Sequence, residues 1–159
     1  MRFSLPLILA FFMATPLQAT QPTRVKLGKP DENNEQAFID IHRPLNPNGT
    51  SIIICPGGGY GTVVSGPEGD KIAVWLGEHG ITGIVLHYRL PQGRNNVPLD
   101  DAQAAMKHLR KHANDFHLNT NKIGVMGFSA GGHLASTLAT HATTGKLRPA
   151  FAVLVYPVI

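Results

Sequence analysis

Residues 122–142 restrict the fold more than any other part of the chain. KIGVM is a short apolar run with strand character, GFSAGG permits one sharp turn, and residues 132–142 carry Leu134, Ala135, Leu138 and Ala139 at helical spacing. A strand that breaks on glycines straight into a helix belongs to a layered α/β sheet. In the pattern G-x-S-x-G, Gly127 and Gly131 let the backbone turn tightly enough to hold Ser129 in a strained conformation, with its hydroxyl exposed at the carboxyl edge of the sheet. A larger side chain at either glycine would collide with strand or helix. Ser129 is therefore the candidate nucleophile. The amide of Ala130, at the helix start, is a candidate donor to a developing oxyanion.

The rest of the chain repeats the same alternation. SIIICP, residues 51–56, is a continuous β-branched run that predicts a strand buried on both faces. Residues 70–79 place Ile72, Ala73, Trp75 and Leu76 on one helical stripe, with Gly80 as the stop. TGIVLHYRL predicts another strand. Residues 100–116 carry Ala102, Ala105, Met106, Leu109, Ala113 and Phe116 on one face and predict the strongest helix, with Pro98 just upstream and an aspartate at its cap. AFAVLVYPVI, residues 150–159, predicts a last strand. Before these, residues 20–35 read as a leading strand or irregular arm. AFIDIHRP reads as an early strand with Phe38, Asp40 and His42 on a polar-leaning face, and Asn48-Gly49 as the pivot of the turn that follows. The later strands show no polar alternation, so a mostly parallel sheet with helices on both faces is expected.

At 159 residues, 43% hydrophobic and 15% charged, the chain suits one globular domain with a sizeable core. Residues 1–19 begin with Arg2, continue apolar from Leu5 to Ala14 and close on a small residue at Ala19, the pattern of a secretory signal peptide. The apolar run is shorter than the ~20 residues of a spanning helix, so no stable membrane anchor is expected after cleavage. The domain proper is then residues 20–159, exported to the periplasm or outside the cell. Without the leader, 13 basic residues face 10 acidic ones, a net charge of +3. Lys107, Arg110 and Lys111 cluster on a helix beside Asp100 and Asp101, which reads as a solvated face and gives no nucleic-acid site. Cys55, the one cysteine, ends an apolar strand and reads as a buried small hydrophobe.

A second glycine turn, CPGGGYG, follows the strand at residues 51–55. Its backbone amides can approach a substrate carbonyl, and Gly58 and Gly59 are the candidate second oxyanion donors. A dinucleotide fingerprint fails on spacing, because Thr62 and Ser129 stand where glycines are required, and there is no G-x-x-x-x-G-K-[ST]. PGGGY, GPEGDKIAVWL, VLHYRLP, PLDDAQAAMKHLR and IGVMGFSAGGHLAS, in this order, resemble an α/β-hydrolase esterase of the acetylxylan-esterase and feruloyl/acetyl-esterase type, related to the hormone-sensitive-lipase group. In that group a histidine usually stands where Pro56 stands here. The resemblance covers about residue 41 to the end.

The resemblance implies a serine esterase acting on short acyl esters of carbohydrates such as xylan, without metal or organic cofactor. Ser129 would be the nucleophile and Gly58, Gly59 and Ala130 the oxyanion hole. Tyr60 would either bind substrate over the acyl site or pack the loop. Glu68, Arg89 and Asp101 belong to the same pattern and read as structural hydrogen-bonding residues.

Serine esterases also need a base and a carboxylate, in this fold in the order Ser, Asp or Glu, His. No Asp or Glu follows Ser129, and only His133 and His141 follow it. His133, one helical turn on, reads as a helix residue bonded to neighbouring backbone, and His87 as core or edge packing. The triad acid and histidine are accordingly expected beyond Ile159, on carboxyl-terminal strands missing from this partial domain, and these 159 residues alone are expected to be nearly inert. Such an end would leave an open sheet edge. The competing reading is a catalytically inactive hydrolase-like domain that binds carbohydrate or a partner. A peptidase of the prolyl-oligopeptidase kind would normally bring a propeller, for which the chain has no room.

Overall fold

The computed structural model describes residues 21–142 and 144–159. The expected leader, residues 1–19, lies outside the described residues. Six strands form one sheet among them: β1 (Thr23–Lys26), β2 (Phe38–His42), β3 (Ser51–Cys55), β4 (Thr82–His87), β5 (Ile123–Phe128) and β6 (Ala152–Val155), in the spatial order β1-β2-β4-β3-β5-β6. β3 pairs in parallel with β4 and β5, and β5 in parallel with β6. The register sets Ile53 beside both Ile84 and Val125, and Cys55 beside Gly127.

Three helices cover the sheet: α1 (Lys71–Glu78), α2 (Val97–Lys111) and α3 (Ala130–His141). Successive strand side chains point to opposite faces, and the core divides accordingly. Ile53 and Cys55 pack with Met106, Leu109, Leu134 and Leu138 of α2 and α3, while Ile52 and Ile54 pack with Ala73 and Leu76 of α1. Every residue of β3 is buried, as its β-branched run predicts. Burying each such isoleucine contributes about 1.5–3 kcal/mol.

The sheet itself is mostly parallel, as expected, and its two antiparallel pairings are β1 with β2 and β2 with β4. Several local expectations are corrected. The polar-leaning face of β2 is covered at Asp40, which is 5% exposed, because β1 crosses beside it and Arg24 forks onto its carboxylate at 2.8 and 2.7 Å. The Arg24 guanidinium also lies 4.2 Å over the Phe38 ring, and Phe38 stacks on His87 at 4.1 Å. Trp75 leaves the packed stripe of α1. It is 52% exposed and meets the His79 ring edge-on at 4.9 Å, since Ala73 and Leu76 already fill the space above β4.

α2 starts at Val97, so Pro98 stands inside its first turn, where a missing N–H costs nothing. The aspartate is therefore not the cap, and the helix ends at Lys111, with turns keeping Ala113 and Phe116 against the core. The Arg110 side chain is not simply solvated: its guanidinium donates to the carbonyls of Lys146 and Arg148. α3 begins at Ala130, two residues earlier than its apolar pattern, and β6 is only four residues long because Tyr156 turns the chain with φ +36°. No helix among the described residues is long and apolar enough to cross a membrane.

Candidate active site

The elbow is built by close approach. A Cβ on Gly127 would strike the carbonyl of Gly131, and one on Gly131 would strike the carbonyls of Cys55 and Pro56, so only glycine fits at either place. Between them Ser129 sits at φ +50° and ψ −118°, a strained conformation that persists only where the surroundings impose it. Those surroundings are visible: the Ser129 amide donates to Val155 O at 3.1 Å, and the Ser129 carbonyl accepts from the amides of His133 and Val158, each at 3.1 Å. α3 starts at the next residue, so its partial positive end points at the serine. The hydroxyl itself has no hydrogen-bond partner among the described residues.

The glycine loop leaves β3, the strand beside β5, and neighbouring strands lie only about 4.8 Å apart. The loop therefore comes directly against the elbow; a Cβ on Gly57 would be 3.1 Å from Ser129 Cβ. Gly58 and Gly59 have φ +130° and +62°, and Gly58 O accepts from Gly61 N at 3.1 Å and Thr62 N at 3.2 Å. Among the described residues no hydrogen bond uses the amides of Gly58, Gly59 or Ala130. Three unpaired donors thus flank the Ser129 hydroxyl, an arrangement suited to receiving negative charge on a carbonyl oxygen.

Two ties hold the loop's root. Glu68 Oε2 accepts from Gly57 N at 2.7 Å, and its Oε1 accepts from the Tyr156 hydroxyl at 2.7 Å, which raises the Tyr156 phenol above its ordinary value. Buried Tyr88 donates to Pro56 O at 2.7 Å. Arg89 forks onto Asp101, with bonds of 2.6 to 3.2 Å from its side chain, and Asp101 also accepts the Arg89 amide at 2.8 Å. Glu68, Arg89 and Asp101 are thus structural hydrogen-bonding residues. Complete burial pushes the Cys55 thiol up to about 12, so it stays protonated and is no rival nucleophile.

The BD-FAE family model matches residues 39–152, the whole segment from β2 to the start of β6. The chain belongs to the BD-FAE family. It is 37% identical over 147 residues to an acetylxylan esterase of Xylanibacter ruminicola, covering 92% of this chain and 30% of that protein. Among solved structures it resembles an acetyl ester-xyloside bifunctional hydrolase from Caldicellulosiruptor lactoaceticus, with a TM-score of 0.77, 30% identity, and 91% and 60% of the two chains covered. An α/β-hydrolase enzyme from a Medee basin deep-sea metagenome library matches with a TM-score of 0.70 at 33% identity, covering 87% of this chain and 58% of that one. The BD-FAE fold here is the α/β-hydrolase fold, and the chain spans about 30% of the length of its Xylanibacter relative.

In this BD-FAE chain Ser129, Gly58, Gly59 and Ala130 converge at one sheet edge. Tyr60 joins them from φ +58°, half-buried, and burial raises its phenol above the ordinary value. His133 does not bond neighbouring backbone through its ring, as the sequence suggests; Nδ1 shares a 2.7 Å hydrogen bond with the Tyr60 hydroxyl. That contact joins residues 73 apart, and nothing in local spacing announces it. His87 packs on Phe38 with Nε2 3.1 Å from Asp40, two strands from Ser129, and burial lowers its pKa, so it is neutral at pH 7.

Proposed function

We propose that this protein is an exported serine carboxylesterase that removes short acyl groups, acetyl or feruloyl, from carbohydrate such as xylan. The observation that carries the reading is the strained Ser129, set between the start of α3 and a glycine loop with unpaired amides. The names of the Xylanibacter and Caldicellulosiruptor relatives support the choice of acetylated carbohydrate. Ser129 Oγ attacks the acyl carbonyl, and the amides of Gly58, Gly59 and Ala130 receive the oxyanion of the tetrahedral intermediate. A base takes the hydroxyl proton and passes it to the leaving alcohol; water then repeats the sequence on the acyl-enzyme and frees Ser129. No metal or organic cofactor is needed for these steps.

The base and its carboxylate are proposed to come from chain beyond Ile159, since no Asp or Glu follows Ser129 and the His133 ring is turned to Tyr60. The fraction of the Xylanibacter and Caldicellulosiruptor proteins covered by this chain supports that reading. The 159 residues alone are then nearly inert. The test compares release of p-nitrophenol from p-nitrophenyl acetate, and of acetate from acetylated xylan, by native protein and its Ser129→Ala variant; loss of at least ~10³-fold is expected. The partnerless Ser129 hydroxyl favours one competitor, a non-catalytic carbohydrate- or partner-binding domain. That reading predicts ligand binding indifferent to Ser129→Ala and no ester turnover.

A further inference from the structure

We propose that Tyr60 and His133 are a positioning pair that sets the spacing between the two halves of the oxyanion site, an inference that rests on the esterase reading. The halves belong to different elements. Gly58 and Gly59 stand on the loop that leaves β3, whereas Ala130 opens α3. A site of this kind loses its effect unless the donors are held within about 0.5 Å of productive geometry. Sheet pairing cannot do this for the loop, because ladder bonding between β3 and β5 stops at Cys55 and Gly127.

Packing holds the tip only in part: Tyr60 packs against the core, whereas Gly59 is exposed. A Cβ built on Gly59 would meet nothing within 4 Å, whereas one on Gly58 would strike the carbonyl of Thr62, so the loop is closed on itself at Gly58 and open at Gly59. Turn bonds from the amides of Gly61 and Thr62 to Gly58 O close the loop on itself, and two side-chain contacts tie it to its surroundings. Glu68 fixes Gly57 at one end, and at the other the Tyr60 hydroxyl meets His133 Nδ1 at 2.7 Å. Gly58, Gly59 and Tyr60 all have φ between +58° and +130°, and for a tyrosine such a conformation persists only where its surroundings enforce it.

His133 is placed to enforce it from the correct element. It lies one turn along α3 from Ala130, and its own amide donates to Ser129 O at 3.1 Å. The Tyr60 ring in turn sits edge-on to Tyr88 at 6.3 Å, and Tyr88 bonds Pro56 O at the loop's root. A rigid chain of contacts therefore runs from Pro56 through Tyr88, Tyr60 and His133 to Ser129. The role assigned to the pair is to set distance.

The test uses protein purified from its native source, with Tyr60→Phe, His133→Ala, His133→Asn and the Tyr60→Phe/His133→Ala double variant. A misplacement of about 1 Å can cost ~10²-fold in rate, so each of the first two is expected to lower kcat for p-nitrophenyl acetate by roughly 10- to 100-fold, with KM within about twofold and melting temperature unchanged. The double variant is expected to lose no more than either single one. His133→Asn, whose amide reaches the place of Nδ1, should recover most of the loss.

Losses that multiply in the double variant, a silent His133→Ala, or a Tyr60→Phe effect confined to KM would overturn the pair and leave Tyr60 as a plain substrate contact. The Ser129→Ala control separates the two readings. Wild-type turnover that is absent, or that survives Ser129→Ala, overturns the esterase reading and this inference with it. Ser129-dependent turnover without coupling overturns only the pair.

Discussion

Asp40 shows how one buried charge is tolerated. The Arg24 guanidinium beside it holds its carboxyl below the ordinary carboxylate value, and burial acts in the opposite direction. A depressed folded pKa means stability that is present above about pH 3.9, the unfolded value, and lost as pH falls through the folded value. Because the Arg24 side chain is 60% exposed, the pair is worth no more than about 1–2 kcal/mol. Urea titrations from pH 7 to pH 2.5 should show that loss in wild type and a flatter profile in Asp40→Asn. His87 adds a shallower decline below about pH 6.5, since burial makes the folded state resist its protonation. An unchanged acid limb in Asp40→Asn would show that Arg24 does not act through this carboxylate. Cys55 gives a second residue-scale outcome. With its thiol pushed up to about 12, the folded 159-residue chain at pH 8 should take up no iodoacetamide, and the same chain unfolded in urea should take up one equivalent. Labelling of the folded chain at the rate of a free thiol would contradict that.

Elements were legible wherever one periodicity acted alone. SIIIC needs no partner to declare itself a strand buried on both faces, and GFSAGG needs only its glycines to declare the turn. β2 was legible as an early strand and residues 20–35 as a leading strand or arm, but the antiparallel direction of β1 and β2 was not, because it is set by the sheet they join. Trp75 misled for a related reason: its spacing places it near the stripe, but the small residues Ala73 and Gly83 bring α1 so close to β4 that no room remains for an indole. Leu76→Ala should therefore cost about 2–5 kcal/mol by chemical denaturation, and Trp75→Ala less than about 1 kcal/mol. Equal losses would place Trp75 in the core after all. At the candidate site, the glycine turns and Ser129 were legible as positions, whereas the Tyr60–His133 contact was not, since it exists only once β3 and β5 lie side by side.

For the whole molecule, β6 is the outermost strand of the sheet, and one side of its backbone faces no other strand among the described residues. Phe151, Val153, Leu154, Tyr156 and Val158 are all exposed around it. An open apolar edge templates further pairing, so a 159-residue chain should associate in sedimentation experiments as its concentration rises. Val153→Lys with Leu154→Lys should suppress this; a wild-type chain monomeric at all concentrations would contradict it. The same edge lies beside the elbow, since Ser129 N bonds Val155 O. The central proposal is that Ser129 is the nucleophile, and the most direct measurement is reaction of the protein from its native source with a fluorophosphonate, followed by intact mass and peptide mapping. The account predicts one adduct per chain, carried on Ser129, with esterase turnover falling in step. An adduct on another residue, or full turnover with Ser129 modified, would contradict it.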